Sequence, residues 1–118
     1  MKLAFKNKKG DSYFFVDVPM TLKIGTFEDM LLELKLEFYE IGELATRDLA
    51  FLMTNLLYFG YITACKESFT KPIYSKDNAK IWFENISQQS YNELANKIQI
   101  LMGEMASVNK KKLESRVN

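Results

Sequence analysis

The chain has 118 residues, 47% of them apolar and 14% aromatic, which suits one ordinary domain with a real core and excludes extended disorder. Its 16 Lys and Arg against 15 Asp and Glu leave a net charge of +1, so the balance gives no general pull toward nucleic acid. Histidine is absent, which removes the commonest general base and metal ligand together, and the single Cys65 cannot form an internal disulfide and suits a reducing compartment.

Residues 2–6 (KLAFK) and 12–18 (SYFFVDV) read as two short strands, rich in aromatic and β-branched side chains. Between them NKKGD supplies the residues of a tight connection, so residues 2–18 form a β-hairpin. Phe14, Val16 and Val18 alternate with Tyr13, Phe15 and Asp17, leaving one face for helices and one for water. Pro19 ends the strand, and MTLKI at 20–24 alternates as a short third strand would.

A first helix is predicted near 26–38. Thr26 serves as N-cap with Asp29 three residues on, and Phe27, Met30, Leu31, Leu34 and Phe38 make the buried stripe. Gly42 breaks it. Thr46 then caps a long central helix near 47–68, about 33 Å in length, with Asp48 at the positive end of its dipole. SFTKPIYS is loop. A short helix near 76–85, starting from Ser75 or Asp77, turns Ile81, Trp82 and Ile86 inward. The last helix, near 88–106, starts from Ser87 or Ser90, and Ser90 with Glu93 makes a capping box. Tyr91, Leu94, Ala95, Ile98, Leu101, Met102 and Met105 then recur at helical spacing. The fold class is therefore mostly α (α+β): an N-terminal hairpin on a bundle of about four helices, one domain over 1–108. Residues 109–118 read as a flexible basic tail, because the apolar period stops after Val108.

Residues 49–65, LAFLMTNLLYFGYITAC, run seventeen positions without a charge. A membrane-spanning helix needs about 20 predominantly apolar residues with flanking basic clusters. This stretch includes Thr54, Asn55, Tyr58, Tyr61 and Thr63 and is closed by Asp48 and Lys66, so a soluble, cytoplasmic protein with a buried helix is expected. Leu49, Leu52, Met53, Leu56, Phe59, Gly60 and Thr63 form one tight stripe on that helix. Phe51, Asn55, Tyr58 and Ile62 gather on the opposite side with Tyr61 at their border. Such a second apolar face is either covered by the chain's own domain or kept for a partner, and both readings stay open here.

Chemistry-bearing motifs are missing. The five glycines are scattered, so there is no phosphate-binding loop, and a Ser or Cys nucleophile has no histidine to activate it. Cys65 sits on an apolar helix as a small hydrophobe. Glu28, Asp29, Glu33, Glu37, Glu40, Glu43 and Asp48 crowd residues 26–48, but their spacing is that of a solvated helix face, not of an acid/base pair or a metal site. No catalytic, cofactor-binding or metal-binding residue is assigned, and the chain is expected not to be an enzyme. Lys110, Lys111 and Lys112 lack interleaved aromatics, a weak basis for nucleic-acid binding.

The order of elements over roughly residues 10–106 resembles the tail assembly chaperones of long-tailed bacteriophages and prophages. The features that carry it are the hairpin, the acidic helix, the long helix ending in LLYFGYITAC, the Trp-bearing NAKIWFENIS and the closing SYNELANKIQILM. The resemblance implies a non-enzymatic protein of the host cytoplasm, absent from the mature virion. It also implies that the chain self-associates and binds a helical client, the tape-measure protein, during tail morphogenesis. Genes of that family often make a longer product by ribosomal slippage, which lysine codons at 110–112 suit. The family has no motif that assigns binding residues, and the second face of the long helix supplies the candidates here: Phe51, Asn55, Tyr58, Tyr61 and Ile62. The alternative reading is a small helical interaction or regulatory module of a phage or mobile element, acting on a host protein or on DNA.

Overall fold

The computed structural model describes the backbone of residues 1–9 and 12–117 and the side chains of residues 1–6 and 16–108. Strands β1 (Lys2–Lys9) and β2 (Ser12–Pro19) open the chain. Five helices follow, α1 (Ile24–Leu34), α2 (Glu40–Arg47), α3 (Leu49–Glu67), α4 (Lys76–Glu84) and α5 (Gln88–Val117). This is the mostly α architecture with an N-terminal hairpin that the sequence predicts. The hairpin turn at Gly10 and Asp11, and the side chains of Tyr13, Phe14 and Phe15, lie outside the described residues.

β1 and β2 pair antiparallel with Leu3 opposite Val18 and Phe5 opposite Val16. Leu3, Phe5 and Val18 are buried, because strand alternation puts them on the face turned to the helices. The outer edge of β1 is closed by the α4–α5 connection. There Lys6 N donates to Asn85 O at 2.7 Å, Ser87 N to Ala4 O at 3.0 Å, and Ala4 N to Ser90 Oγ at 2.7 Å. Residues 85–90 thus satisfy edge groups that an exposed strand leaves unpaired. The predicted third strand at 20–24 does not form. Met20 N still reaches Met1 O, at 2.7 Å, but Thr21 N donates to Gly60 O at 3.0 Å, and Met20 and Leu22 bury against the helices instead.

α1 starts two residues earlier than predicted. Thr26 is not its cap: its hydroxyl lies inside the first turn, accepting from Lys23 N at 3.3 Å and donating to Thr21 O at 3.0 Å. The same hydroxyl meets that of Thr63 at 3.1 Å, so a fully buried Thr26 links α1 to α3. α1 stops at Leu34, not near 38, because Lys35 takes the left-handed conformation (φ 56°) and Leu36 N folds back onto Leu31 O at 2.9 Å. Lysine at that position gives no warning in the sequence. Gly42, predicted as the break, sits within α2.

The predicted helix over 47–68 forms as α3, and α2, which the sequence reading does not foresee, precedes it at an angle of 119°. Asp48 rather than Thr46 is the cap. Its carboxylate accepts from Phe51 N at 3.1 Å, while Thr46 bonds back to Gly42 O at 3.1 Å inside α2. Among the described residues no single helix is long and apolar enough to cross a membrane.

α3 occupies the centre, with α1, α2, α4 and β2 packed around it. Ser75 caps α4 in a reciprocal arrangement with Asn78, whose Oδ1 accepts from Ser75 N at 2.9 Å. Trp82 on α4 is buried as predicted. Ile81 is 54% exposed, because a short helix has room for only one narrow inward stripe, and Ile86, beyond the end of α4 and bridged to Phe5, is half-buried. Ser87 precedes α5 and its hydroxyl accepts from Ser90 N at 3.1 Å, leaving Ser90 free to serve the strand edge instead of capping the helix. Leu94, Leu101 and Met105 of the predicted stripe are buried, Ile98 and Met102 half-buried, and Tyr91 and Ala95 exposed.

α5 does not end near 106: its backbone stays helical through Val117, a 30-residue helix of about 45 Å. Loss of apolar period does not by itself end a helix. Lys, Leu, Glu and Arg are good helix formers, and no Gly or Pro follows Gly103. The side chains of the predicted basic tail, 109–118, lie outside the described residues.

Gly60 is where α3 comes closest to the segment after the hairpin. A Cβ there would stand 3.0 Å from Leu22 Cδ2 and 3.4 Å from Met20 Sδ. Gly60→Leu is expected to destabilise by about 2 kcal/mol through overpacking. Gly60→Ala should cost far less, since Ala gains about 1 kcal/mol of helix propensity and Leu22 can yield slightly. Denaturant unfolding of both variants checks this, and an unchanged midpoint for Gly60→Leu would contradict the packing of α3 against residues 20–22.

Candidate interaction surface

A helix of nineteen residues, uncharged over its first seventeen, raises the question of what covers each side. α4 runs along the second face of α3, and its aromatic cluster holds it there. Trp82 stacks on Phe5 at 5.4 Å and meets Tyr61 and Tyr74 edge-on at 5.6 and 5.2 Å. At the start of α4, Lys76 Nζ lies 5.7 Å from the Tyr58 ring and 5.5 Å from the Phe59 ring, and pairs with Glu33 of α1 at 3.4 Å.

The five candidate partner residues therefore separate. Asn55 and Tyr61 are 3% and 4% exposed and belong to the core. Tyr58 and Ile62 are half-buried and packed against it. Phe51 alone is open, at 45%. The opposite stripe fares similarly: Leu52, Met53, Leu56, Gly60 and Thr63 are buried, Phe59 half-buried, and Leu49 exposed. Leu57, which lay on neither stripe, is fully buried. Packing on several sides defeats a two-face reading of this helix.

Around Phe51 the N-terminal end of α3 and the C-terminal end of α4 part to leave a cleft of about 370 Å³. Ala50, Phe51, Thr54 and Phe83 line it, with Asp48, Lys80 and Glu84 also contributing. The α4 contributors were missed in the sequence, although Lys80, Phe83 and Glu84 recur at i, i+3 and i+4, the spacing of one helix face. Among the described residues no cluster of three or more Cys, Asp or Glu side chains is placed to hold a metal. Cys65 is buried and unpaired.

Two polar side chains inside the second face carry distinct chemistry. Asn55 donates through Nδ2 to Phe51 O at 2.8 Å, but its buried Oδ1 has no hydrogen-bond partner among the described residues. Tyr61 accepts from Ile73 N at 2.9 Å and so pins the loop before α4. Burial pushes the Tyr61 phenol above its usual value, with the neighbouring Cys65 adding to the shift and the Ile73 amide opposing it.

Asn55→Leu, a swap of similar shape, is expected to leave stability unchanged or raise it by about 1 kcal/mol, because an orphaned buried oxygen is removed. Thermal unfolding checks it, and a clear loss would mean that Oδ1 is satisfied. For Tyr61 the protonated form is favoured in the folded state. Its contribution is fully present below the unfolded value of about 10 and lost as pH rises through the raised folded value. Tyr61→Phe should flatten that alkaline loss in a stability–pH profile, relative to the parent.

Comparison of the chain with protein-family models, with curated proteins and with solved structures finds no match in any of the three.

Proposed function

We propose that this chain is a non-enzymatic assembly chaperone of the phage-tail type, which self-associates and holds a helical client such as the tape-measure protein. The observation that carries this reading is the cleft at Phe51. It is the part of the second face of α3 that α4 leaves open, and it offers a half-exposed aromatic ring between polar and charged neighbours. A groove with apolar walls and a polar rim suits the apolar stripe of an amphipathic helix. The absence of histidine and of a nucleophile–base pair in the sequence agrees with a binding role. The resemblance in element order names the client. The host cytoplasm is the compartment that goes with it.

Co-production of the chain with the tape-measure protein of the phage that encodes it, followed by affinity capture, tests the proposal. A soluble complex is expected. Phe51→Asp should weaken it by about 30-fold or more, the loss of roughly 2 kcal/mol typical of a central aromatic contact, while circular dichroism stays that of the parent. Ile62→Asp should instead lower stability, since that side chain is packed against the core. A folded Phe51→Asp variant with undiminished capture would overturn the cleft as the client site. Salt-sensitive binding to DNA without client capture would favour the regulatory module.

A further inference from the structure

A second apolar groove lies between α1 and α5 and shares no lining residue with the Phe51 cleft. Leu31 and Leu32 of α1, Leu36 and Phe38 of the following turn, and Met105 and Val108 of α5 line it, in a volume of about 340 Å³. Leu32 is 81% exposed within it. Its rim is acidic: Glu28 and Glu37 border the groove and Asp29 follows Glu28 on α1. Glu33 and Glu43 of the same region already pair with Lys76 and Arg47. Among the described residues the carboxylates of Glu28, Asp29 and Glu37 have no cationic partner. The complementary charge is in the chain itself. After Val108 the sequence reads NKKKLESRVN, with Lys110, Lys111, Lys112 and Arg116 against Glu114, and with Leu113 and Val117 at i and i+4. α5 remains one continuous helix through Val117, so this segment cannot double back onto the groove of its own chain.

We infer that the groove between α1 and the C-terminal half of α5 is the self-association surface, and that it takes the basic C-terminal turns of α5 from a second copy. Leu113 and Val117 supply the i, i+4 apolar pair that a helix-binding groove accepts, and the lysines and Arg116 meet the acidic rim. If each chain offers both groove and helix end, the contact can close as a symmetric pair. The inference rests only on the self-association half of the proposed function and is independent of the Phe51 cleft.

Sedimentation velocity on the full chain tests it. The expected result is a concentration-dependent dimer or higher assembly that weakens as salt is raised, because rim charges are screened. Reversing the tail (Lys110→Glu, Lys111→Glu, Lys112→Glu) and, separately, the rim (Glu28→Lys, Glu37→Lys) should each weaken association at least tenfold. Mixing the two variants should restore a heteromeric species, since opposite charges then face each other across both contacts. Leu32→Asp, at an exposed position, should weaken association without loss of helix by circular dichroism. A parent chain that stays monomeric at high micromolar concentration and low salt would overturn the inference. So would reversed variants that assemble like the parent, or a mixture that fails to recover. Capture of the client by a variant that no longer self-associates would leave the Phe51 cleft standing, whereas loss of client capture with assembly intact would count against the cleft alone.

Discussion

The structure depends on the burial of α3 from several sides at once. Leu52, Met53, Leu56 and Leu57 are each less than a tenth exposed, and full burial of such side chains is worth about 1.5–3 kcal/mol apiece. A helix without charges over seventeen positions cannot stand at a surface, so each neighbouring element is shaped by the need to cover it. α1 lies against it through the Thr26–Thr63 hydroxyl pair. The chain after β2 crosses it at Gly60, and α4 seals its second face through Trp82. What the cover does not reach is the first three residues, where Phe51 is left open.

The hairpin and the last helix are held by a different device. Residues 85–90 sit along the edge of β1, so backbone groups far apart in sequence satisfy one another, and the stacked Phe5–Trp82 pair brings the same strand to α4. This contact is also where α5 begins. Its anchor near Ser90 and its burial at Leu94, Leu101 and Met105 fix the helix on the domain as far as Met105. The sequence after Val108 carries a net positive charge, opposite in sign to the α1–α2 region. A single chain near neutrality thus holds two charged ends that the total conceals.

Binding and stability make opposite demands on α3. Polar groups such as Asn55 and Tyr61, which look fitted to a partner in the sequence, serve loop pinning and helix bonding once α4 is in place. The orphaned Oδ1 of Asn55 is a small local cost inside the core. The exposed ring of Phe51 and the exposed Leu32 are the opposite case. Apolar area remains in water at two distinct grooves, each with charged side chains close by, which is the arrangement expected where another chain is to be met.

Periodicity and turn chemistry by themselves determined the hairpin, the helical class, the central uncharged helix, a start of α4 within 75–77 and the burial of Trp82. These follow from spacing along the chain, which local sequence records directly. Tertiary structure alone decided the separate helix α2, the left-handed stop at Lys35 and the reassignment of Ser90 from helix cap to strand-edge partner. Each depends on a bond or packing partner whose advantage cannot be weighed from neighbours in sequence. The candidate site was half legible for the same reason. A helical wheel could place Phe51, Asn55, Tyr58, Tyr61 and Ile62 together on one side of α3, but only the position of α4 determined that Asn55 and Tyr61 are core and Phe51 is surface. Burial is a property of what lies opposite, and the residues opposite α3 come from elements the wheel does not contain.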